Sequence, residues 1–428
     1  MNSEKYRARS WLWLLLAIAA SIPALTFRVL GIFTGLHLEP ASASLVFGLG
    51  IVGGAFLVAW ACQVAQMDIS QALALAVLAL VAVLPEYAVD MVFAWKAGAH
   101  PLGECVGGAW VNGECVGGHL YDYRSYAAAN MTGSNRLLIG IGWALVVLLF
   151  WFRQKRALAL ERGILLELVF LGAATAYSFL IFFRREIALW DAGVLIGLFG
   201  AYIWLSSRAE TREPELIGPS AALGSLPKGP RRLATVLLFL YSALAILASA
   251  EPFADGLVEL GKSLEIDEFI LVQWVAPLAS ESPEILIAAI FTLQGNATAA
   301  MMALVSAKVN QWTLLVGCIP VVYSISLGDA SALHLDERQT EEFLLTAAQS
   351  LFAVVLLLRL RIGWPGALVL FLLFASQLFI PSIHARYIYS FVYLGLAMLL
   401  LAVDGPRRAV VWHMVCGLFN VTAGRRGS

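Results

Sequence analysis

Glu86, Asp90, Glu281 and Glu284 stand well inside long apolar runs of this 428-residue chain. A carboxylate in a membrane interior costs about 2.5–3.5 kcal/mol on translocon scales, so such residues mark ion or proton chemistry by default. Glu86 and Asp90 are four residues apart and Glu281 and Glu284 three apart, so each pair shares a helix face. Each pair adjoins a proline, Pro85 or Pro283, which lacks an N–H and is expected to free a carbonyl in the preceding turn. Carboxylates beside freed carbonyls suit hard cations, because Na+ and Ca2+ are held by oxygens. The competing reading, a carboxylate buried by an internal ion pair, is weakened by the recurrence of the pattern in two places.

The span after each pair is expected to complete an oxygen cage. In the first, Asn130-Met-Thr-Gly-Ser-Asn135 places Asn130 and Ser134 on one face and ends in Asn135. In the second, the stretch is Ala303-Leu-Val-Ser-Ala-Lys308, followed by Asn310 and Gln311. Such residues also act as close-packing glue between spans. Lys308 is awkward, because a unit charge 4 Å from a divalent ion is repelled by about 8 kcal/mol at an effective dielectric of 20. It is expected either to pair with a carboxylate as a proton or charge switch, or to snorkel to an interface.

The elements that must position these residues are membrane helices. The chain is 60% hydrophobic and 13% charged, against about 45–50% and 25% in soluble domains, and its mean hydropathy is +0.81. A soluble enzyme is excluded. With 28 basic and 29 acidic residues there is no excess charge for nucleic acid. A bilayer core needs about 20 apolar residues of helix. Twelve blocks qualify: 11–35, 43–66, 71–97, 125–151, 162–184, 188–206, 233–260, 268–294, 298–324, 341–359, 363–380 and 385–403. A transmembrane barrel is excluded, since the blocks do not alternate. The first block has no cleavage signature and is expected to stay as a helix. Threaded in order, the blocks put Lys5, Arg7, Arg9, Arg153, Lys155, Arg156, Arg162, the linker residues Arg208, Arg212, Lys228, Arg231 and Arg232, then Arg359, Arg361, Arg407, Arg408, Arg425 and Arg426 on one side. Arg184 and Arg185 are exceptions, and the acidic stretch Asp329, Asp336, Glu337, Glu341 and Glu342 falls opposite. Both termini are therefore expected in the cytoplasm, and the membrane to be the plasma membrane.

The loop 98–125 contains Gly-Glu-Cys-Val-Gly-Gly twice, at 103–108 and 113–118. On the outer side, a Cys105–Cys115 disulfide is permitted, and a flexible glycine loop is the other reading. Cys62, Cys318 and Cys416 lie in or beside apolar spans and are expected to be inert.

The chain also repeats itself. A Pro- and Gly-rich stretch, 207–232, reads as a cytoplasmic linker between halves. Ile69 precedes Glu86 by 17 residues and Ile266 precedes Glu284 by 18, with Pro-Glu ending the interval each time. Glu86 lies on the third span and Glu284 on the eighth; an odd offset makes the second copy enter from the opposite face. The expected architecture is all-α and polytopic: two inverted five-helix repeats, 43–206 and 233–380, with an extra helix in 1–42 and another in 381–428.

These motifs resemble the two alpha repeats of the sodium/calcium exchanger (cation/Ca2+ antiporter) superfamily, whose pattern is Gly-Thr-Ser-x-Pro-Glu followed by Gly-Asn-x-x-Gly-Ser-Asn. The resemblance implies ten helices in two inverted repeats with alternating access. It implies Glu86 and Glu284 as principal cation ligands, with Asn130, Ser280 and Glu281 at supporting positions. Ala82, Val83 and Ala303 depart from the pattern by offering no side-chain oxygen, and Lys308 replaces an Asn. The expected function is a secondary antiporter exchanging Na+ or Ca2+ for Na+ or H+. A transport-inactive sensor or partner subunit on the same fold is the alternative. Neither GxxxxGK[ST] nor HExxH occurs, so neither ATP nor a zinc-protease reaction is expected, and no cofactor beyond the transported ions. Lipid and inorganic cations are the expected partners.

Overall fold

The structure, a computed structural model, describes residues 2–68, 83–111, 114–208, 216, 218–380 and 382–412. Part of the third expected span with Ala82, parts of the linker, Cys416, Arg425 and Arg426 lie outside the described residues. The elements run α1 (Asn2–Thr34), α2 (Pro40–Ala65), α3 (Leu84–Ala99), strands β1 (Glu104–Val106), β2 (Ala109–Val111), β3 (Glu114–Val116) and β4 (His119–Tyr121), then α4 (Tyr123–Leu137). A π-helical turn, Leu138–Trp143, joins α4 to α5 (Ala144–Gln154). There follow β5 (Leu158–Ala159), α6 (Ile164–Arg184), β6 (Glu186–Ile187), α7 (Leu189–Ser206), α8 (Pro219–Gly224), α9 (Lys228–Ser263), α10 (Glu268–Leu293) and α11 (Ala297–Asn310). A second π turn, Gln311–Leu315, leads to α12 (Val316–Leu327), β7 (Leu333–His334), α13 (Glu337–Leu357), β8 (Arg361–Ile362), α14 (Trp364–Gln377) and α15 (Ile383–Val403).

Among the described residues, ten helices are long and apolar enough to cross a membrane, with Tyr123–Gln154 and Ala297–Leu327 each counted as one. Together with α3 and the shorter α14 they fall on the twelve expected blocks in order. No sequence signal predicts the π turns. They begin three residues after Asn135 and three after Lys308, at matching places in the two motifs. Such turns cluster at functional sites, because they shift the hydrogen-bond register and re-aim side chains.

One compact unit comprises 1–134, 186–286 and 313–335. Its core is α2 packed against α1 and α9, with α3 against α12 and α9. Small residues make the approach close: a Cβ on Gly53 would lie 2.5 Å from the Ala17 carbonyl oxygen. In the loop, β1 pairs with β4 and β2 with β3, two nested antiparallel hairpins. Cys105 and Cys115 are disulfide-bonded across them, with Cα atoms 5.5 Å apart. The second unit comprises 135–185, 287–312 and 336–428. Here α13 packs against α6 and α15, and α14 against α5 and the first π turn. An Asp336 N-cap, whose carboxylate accepts from the Gln339 N–H at 2.7 Å, starts α13.

Below α2, Asp68 accepts from Arg231 at 2.8 and 2.9 Å and from Arg232 at 3.1 Å. The Arg231 guanidinium, seconded by Arg232, holds the Asp68 carboxyl down at about 2. Because the folded value is depressed, the contact stabilises fully above the unfolded value of about 3.9 and is lost as pH falls through about 2. The stability gap between wild type and Asp68→Asn, read from thermal unfolding in detergent, should be constant from neutral pH to about pH 4.5 and shrink at lower pH. A gap that does not shrink on acidification contradicts the assignment.

Candidate functional site

The first unit gathers most of the expected oxygen donors. Glu86 lies in the first turn of α3 and Asp90 one turn on; both are buried, as are Asn130 and Ser134 on α4 and Ser280 and Glu281 on α10. Glu284 is partly exposed. The Asn130 side-chain amide donates to Asp90 Oδ1 at 2.8 Å, tying α4 to α3. Glu86 is within electrostatic reach of Glu284 and Asp90, and Ser280 lies beside it. The two Pro-Glu glutamates, one from each half of the sequence, are thus neighbours.

Both oxygens of Glu86, Oδ2 of Asp90 and Oδ1 of Asn130 are buried without a hydrogen-bond partner among the described residues. Buried polar atoms are nearly always paired, so four such oxygens on neighbouring side chains call for an explanation. The hydroxyls add acceptors: Ser280 Oγ donates to the Ala276 and Pro277 carbonyls, each at 3.3 Å, and Ser134 Oγ to the Asn130 carbonyl at 3.0 Å. A hydroxyl oxygen that donates to backbone still keeps lone pairs able to accept a ligand. The donor set is all oxygen, as Na+ or Ca2+ requires. Among the described residues no cluster of three or more His, Cys, Asp or Glu could by itself hold a metal, so carboxylates must act together with neutral oxygens.

The prolines divide their roles differently from expectation. Pro85 stands in the first turn of α3, where a missing N–H leaves no carbonyl of its own helix unpaired. Pro283 and Pro277 lie inside α10 and release the carbonyls of Ala279 and Gln273. Ser282 Oγ donates to the Ala279 carbonyl at 3.3 Å. Against the Gln273 carbonyl packs Gly133, whose added Cβ would lie 1.9 Å from the oxygen. Cys62, expected to be inert, is buried within reach of the Glu284 charge.

A row of rings that no sequence motif signals leads from the hairpins to this site. His119 and Tyr121 have ring centroids 5.1 Å apart, Tyr121 and Tyr123 6.4 Å, Tyr123 and Tyr126 5.9 Å, and Tyr126 and Phe93 5.8 Å. Tyr126 is one turn before Asn130, and Phe93 three residues after Asp90. The Tyr123 hydroxyl donates to Glu104 at 2.6 Å, and His119 Nε2 lies 2.7 Å from Glu268 at the start of α10.

The remaining expected residues belong to the second unit. Lys308, Asn310 and Gln311 are buried, and Lys308 does not snorkel. Its Nζ donates to the Asn135 carbonyl at 3.2 Å and side-chain oxygen at 2.5 Å. This unit also holds a buried charge network. Arg136 pairs with Glu342, Arg386 pairs with Glu342 and lies 3.8 Å from Glu341, and Arg136 donates to Gln377 at 3.3 Å. Glu341 and Glu342, expected in the acidic stretch outside the membrane, lie instead inside α13, where each buried carboxylate has an arginine to face.

The sequence pattern described as sodium/calcium exchanger protein matches residues 41–208 and 234–382. Among curated proteins, none matches the chain. Among solved structures, the crystal structure of an H+/Ca2+ exchanger, CAX, is 43% identical, with a TM-score of 0.85 over 97% of this chain and 99% of its own. A Ca2+/H+ antiporter protein, YfkE, shares 12% identity and a TM-score of 0.59 over 86% and 98% of the two chains. The sodium-calcium exchanger NCX_Mj shares 14% and 0.52 over 80% and 99%. The fold is all-α and polytopic, with two inverted five-helix repeats flanked by a helix at each end. A pattern that covers both repeats, and a relative this similar along nearly its whole length, place the chain in the sodium/calcium exchanger family.

Proposed function

We propose that the chain is a secondary active antiporter that exchanges Ca2+ for H+ by alternating access around Glu86 and Glu284. The observation that carries this reading is the convergence of these two acids beside Asp90, Asn130 and Ser280, with four buried oxygens lacking hydrogen-bond partners among the described residues. Like charges brought together, with Glu86 buried, need a cation or a proton between them. One carboxylate set that takes either, never both, couples the two fluxes without covalent chemistry. Glu86 and Glu284 act as principal ligands, with Asp90, Glu281, Asn130, Ser280 and Ser134 in support. Protons rather than Na+ are favoured as counter-ion by the missing oxygens at Val83 and Ala303 and by the 43% identity to an H+/Ca2+ exchanger. The repeats occupy 43–206 and 233–380, and the linker 207–232 and both termini face the cytoplasm of a cell whose plasma membrane holds the protein.

The test is Ca2+ uptake into proteoliposomes under an imposed pH gradient. Uptake should require an acidic interior, collapse with a protonophore, and leave the vesicle interior more alkaline as protons leave in exchange for Ca2+. Flux that ignores the pH gradient but follows a Na+ gradient overturns the choice of proton. No flux of any ion under any gradient makes the chain a silent descendant of the family.

A further inference from the structure

We infer that the Lys308 ammonium is the built-in occupant of a monovalent cation site formed by Asn135. Two oxygens of that residue, the backbone carbonyl and the side-chain carbonyl, converge on Nζ at 3.2 and 2.5 Å, as a chelate converges on an ion. The face of Trp312 closes a further side, with its ring centroid 4.7 Å from Nζ. Oxygens and an aromatic face are what a desolvated cation selects. Both Lys308 and Asn135 are fully buried. A lysine stem is long enough to carry its charge to an interface, and this one instead ends inside.

The placement in the repeats supports the same conclusion. Asn135 ends the motif Asn130-Met-Thr-Gly-Ser-Asn135 and Lys308 ends Ala303-Leu-Val-Ser-Ala-Lys308. Each precedes a π turn by three residues, so the two occupy equivalent places in the inverted copies. The residues that touch are therefore each other's counterparts. One copy supplies the oxygens. The other supplies, where its partner has an amide, a cation that cannot leave. A tethered charge at this place dispenses with a dissolved one. On the antiporter reading, on which this consequence rests, the chain needs no Na+ here, and its coupling ion is set by the carboxylates alone.

Removing the tether should open the site to a small cation from solution. Lys308→Ala, Lys308→Ser and wild type are melted in detergent in choline chloride, and in sodium, potassium or methylammonium chloride at equal ionic strength. Both variants should melt lower than wild type in choline. At least one of the small cations should raise their melting temperature by about 2 °C or more, as mass action demands of a ligand bound only to the folded state. Wild type should not distinguish the salts. Equal melting of the variants in all four salts, or the same shift in wild type, overturns the inference. So does failure of both variants to fold in every salt, since a cation in the medium should then have rescued them. Transport is not read, so a chain that moves no ion still shows whether the site takes a cation. An active transporter whose variants show no shift separates the two claims from the other side.

Discussion

Glu86→Gln should abolish proton-coupled Ca2+ uptake while leaving a folded protein. A carboxylate 4 Å from a divalent ion attracts it by about 8 kcal/mol at an effective dielectric of 20. Even if half is offset by the lower desolvation cost of the amide, about 4 kcal/mol remains, or close to a thousandfold in affinity. Glutamine also cannot exchange a proton, so the substitution strikes both halves of the cycle. The side chain is fully buried with neither oxygen hydrogen-bonded among the described residues, so no structural contact of theirs is lost with the charge. The Ser280 oxygen beside it can accept from the new amide, which should keep the fold intact. Asp90→Asn is expected to act more weakly, because one Asp90 oxygen is already engaged by Asn130. Uptake in proteoliposomes, with elution profile and melting temperature as checks on folding, decides. A Glu86→Gln protein that retains more than about a tenth of wild-type uptake removes Glu86 from the ion path.

The helices and the acidic pairs are legible in the sequence because their signals are local. A run of about 20 apolar residues must span, and a carboxylate inside such a run is conspicuous within a few positions. Features defined by two distant segments are not legible. Arg136 escapes notice, since one guanidinium barely lowers the mean hydropathy of Tyr123–Gln154, and its partner Glu342 lies on another helix. Glu341 and Glu342 stand close enough to the start of their block to read as outside it. Only the packing of α13 against α6 and α15 shows that this turn is interior. The π turns leave no trace in hydropathy, because inserting one residue per turn changes register and not composition. The ring row from His119 to Phe93 joins a hairpin to two helices, and no periodicity within any one of them announces it. For Lys308 the sequence poses the problem, a fixed charge where an ion is expected, but does not point to Asn135 as its answer.

Gly133→Ala is the substitution expected to do most damage for its size. On helix propensity alone it should stabilise, by about 0.5–1 kcal/mol, since alanine loses less backbone freedom on folding. Its Cβ, however, would stand 1.9 Å from the Gln273 carbonyl oxygen. A carbon and a carbonyl oxygen approach to about 3.3 Å at closest in ordinary contacts, so α4 and α10 must part by more than an ångström. That oxygen is fixed backbone, with the bare Gly133 Cα packed against it from the side. Overpacking of this kind costs about 1–3 kcal/mol, enough to reverse the propensity gain. The displacement falls between Asn130, one turn earlier on α4, and Ser280, Glu281 and Glu284, two to three turns later on α10. Ion ligands held within about half an ångström on neighbouring helices cannot absorb it. Gly133→Ala should therefore lower both the melting temperature and Ca2+ uptake. Pro277→Ala, which returns an N–H to the Gln273 carbonyl, should not rescue it, because the obstacle is steric. A Gly133→Ala protein that melts higher than wild type and transports normally would mean that the two helices yield at this contact, and that the spacing of the ligands does not depend on it.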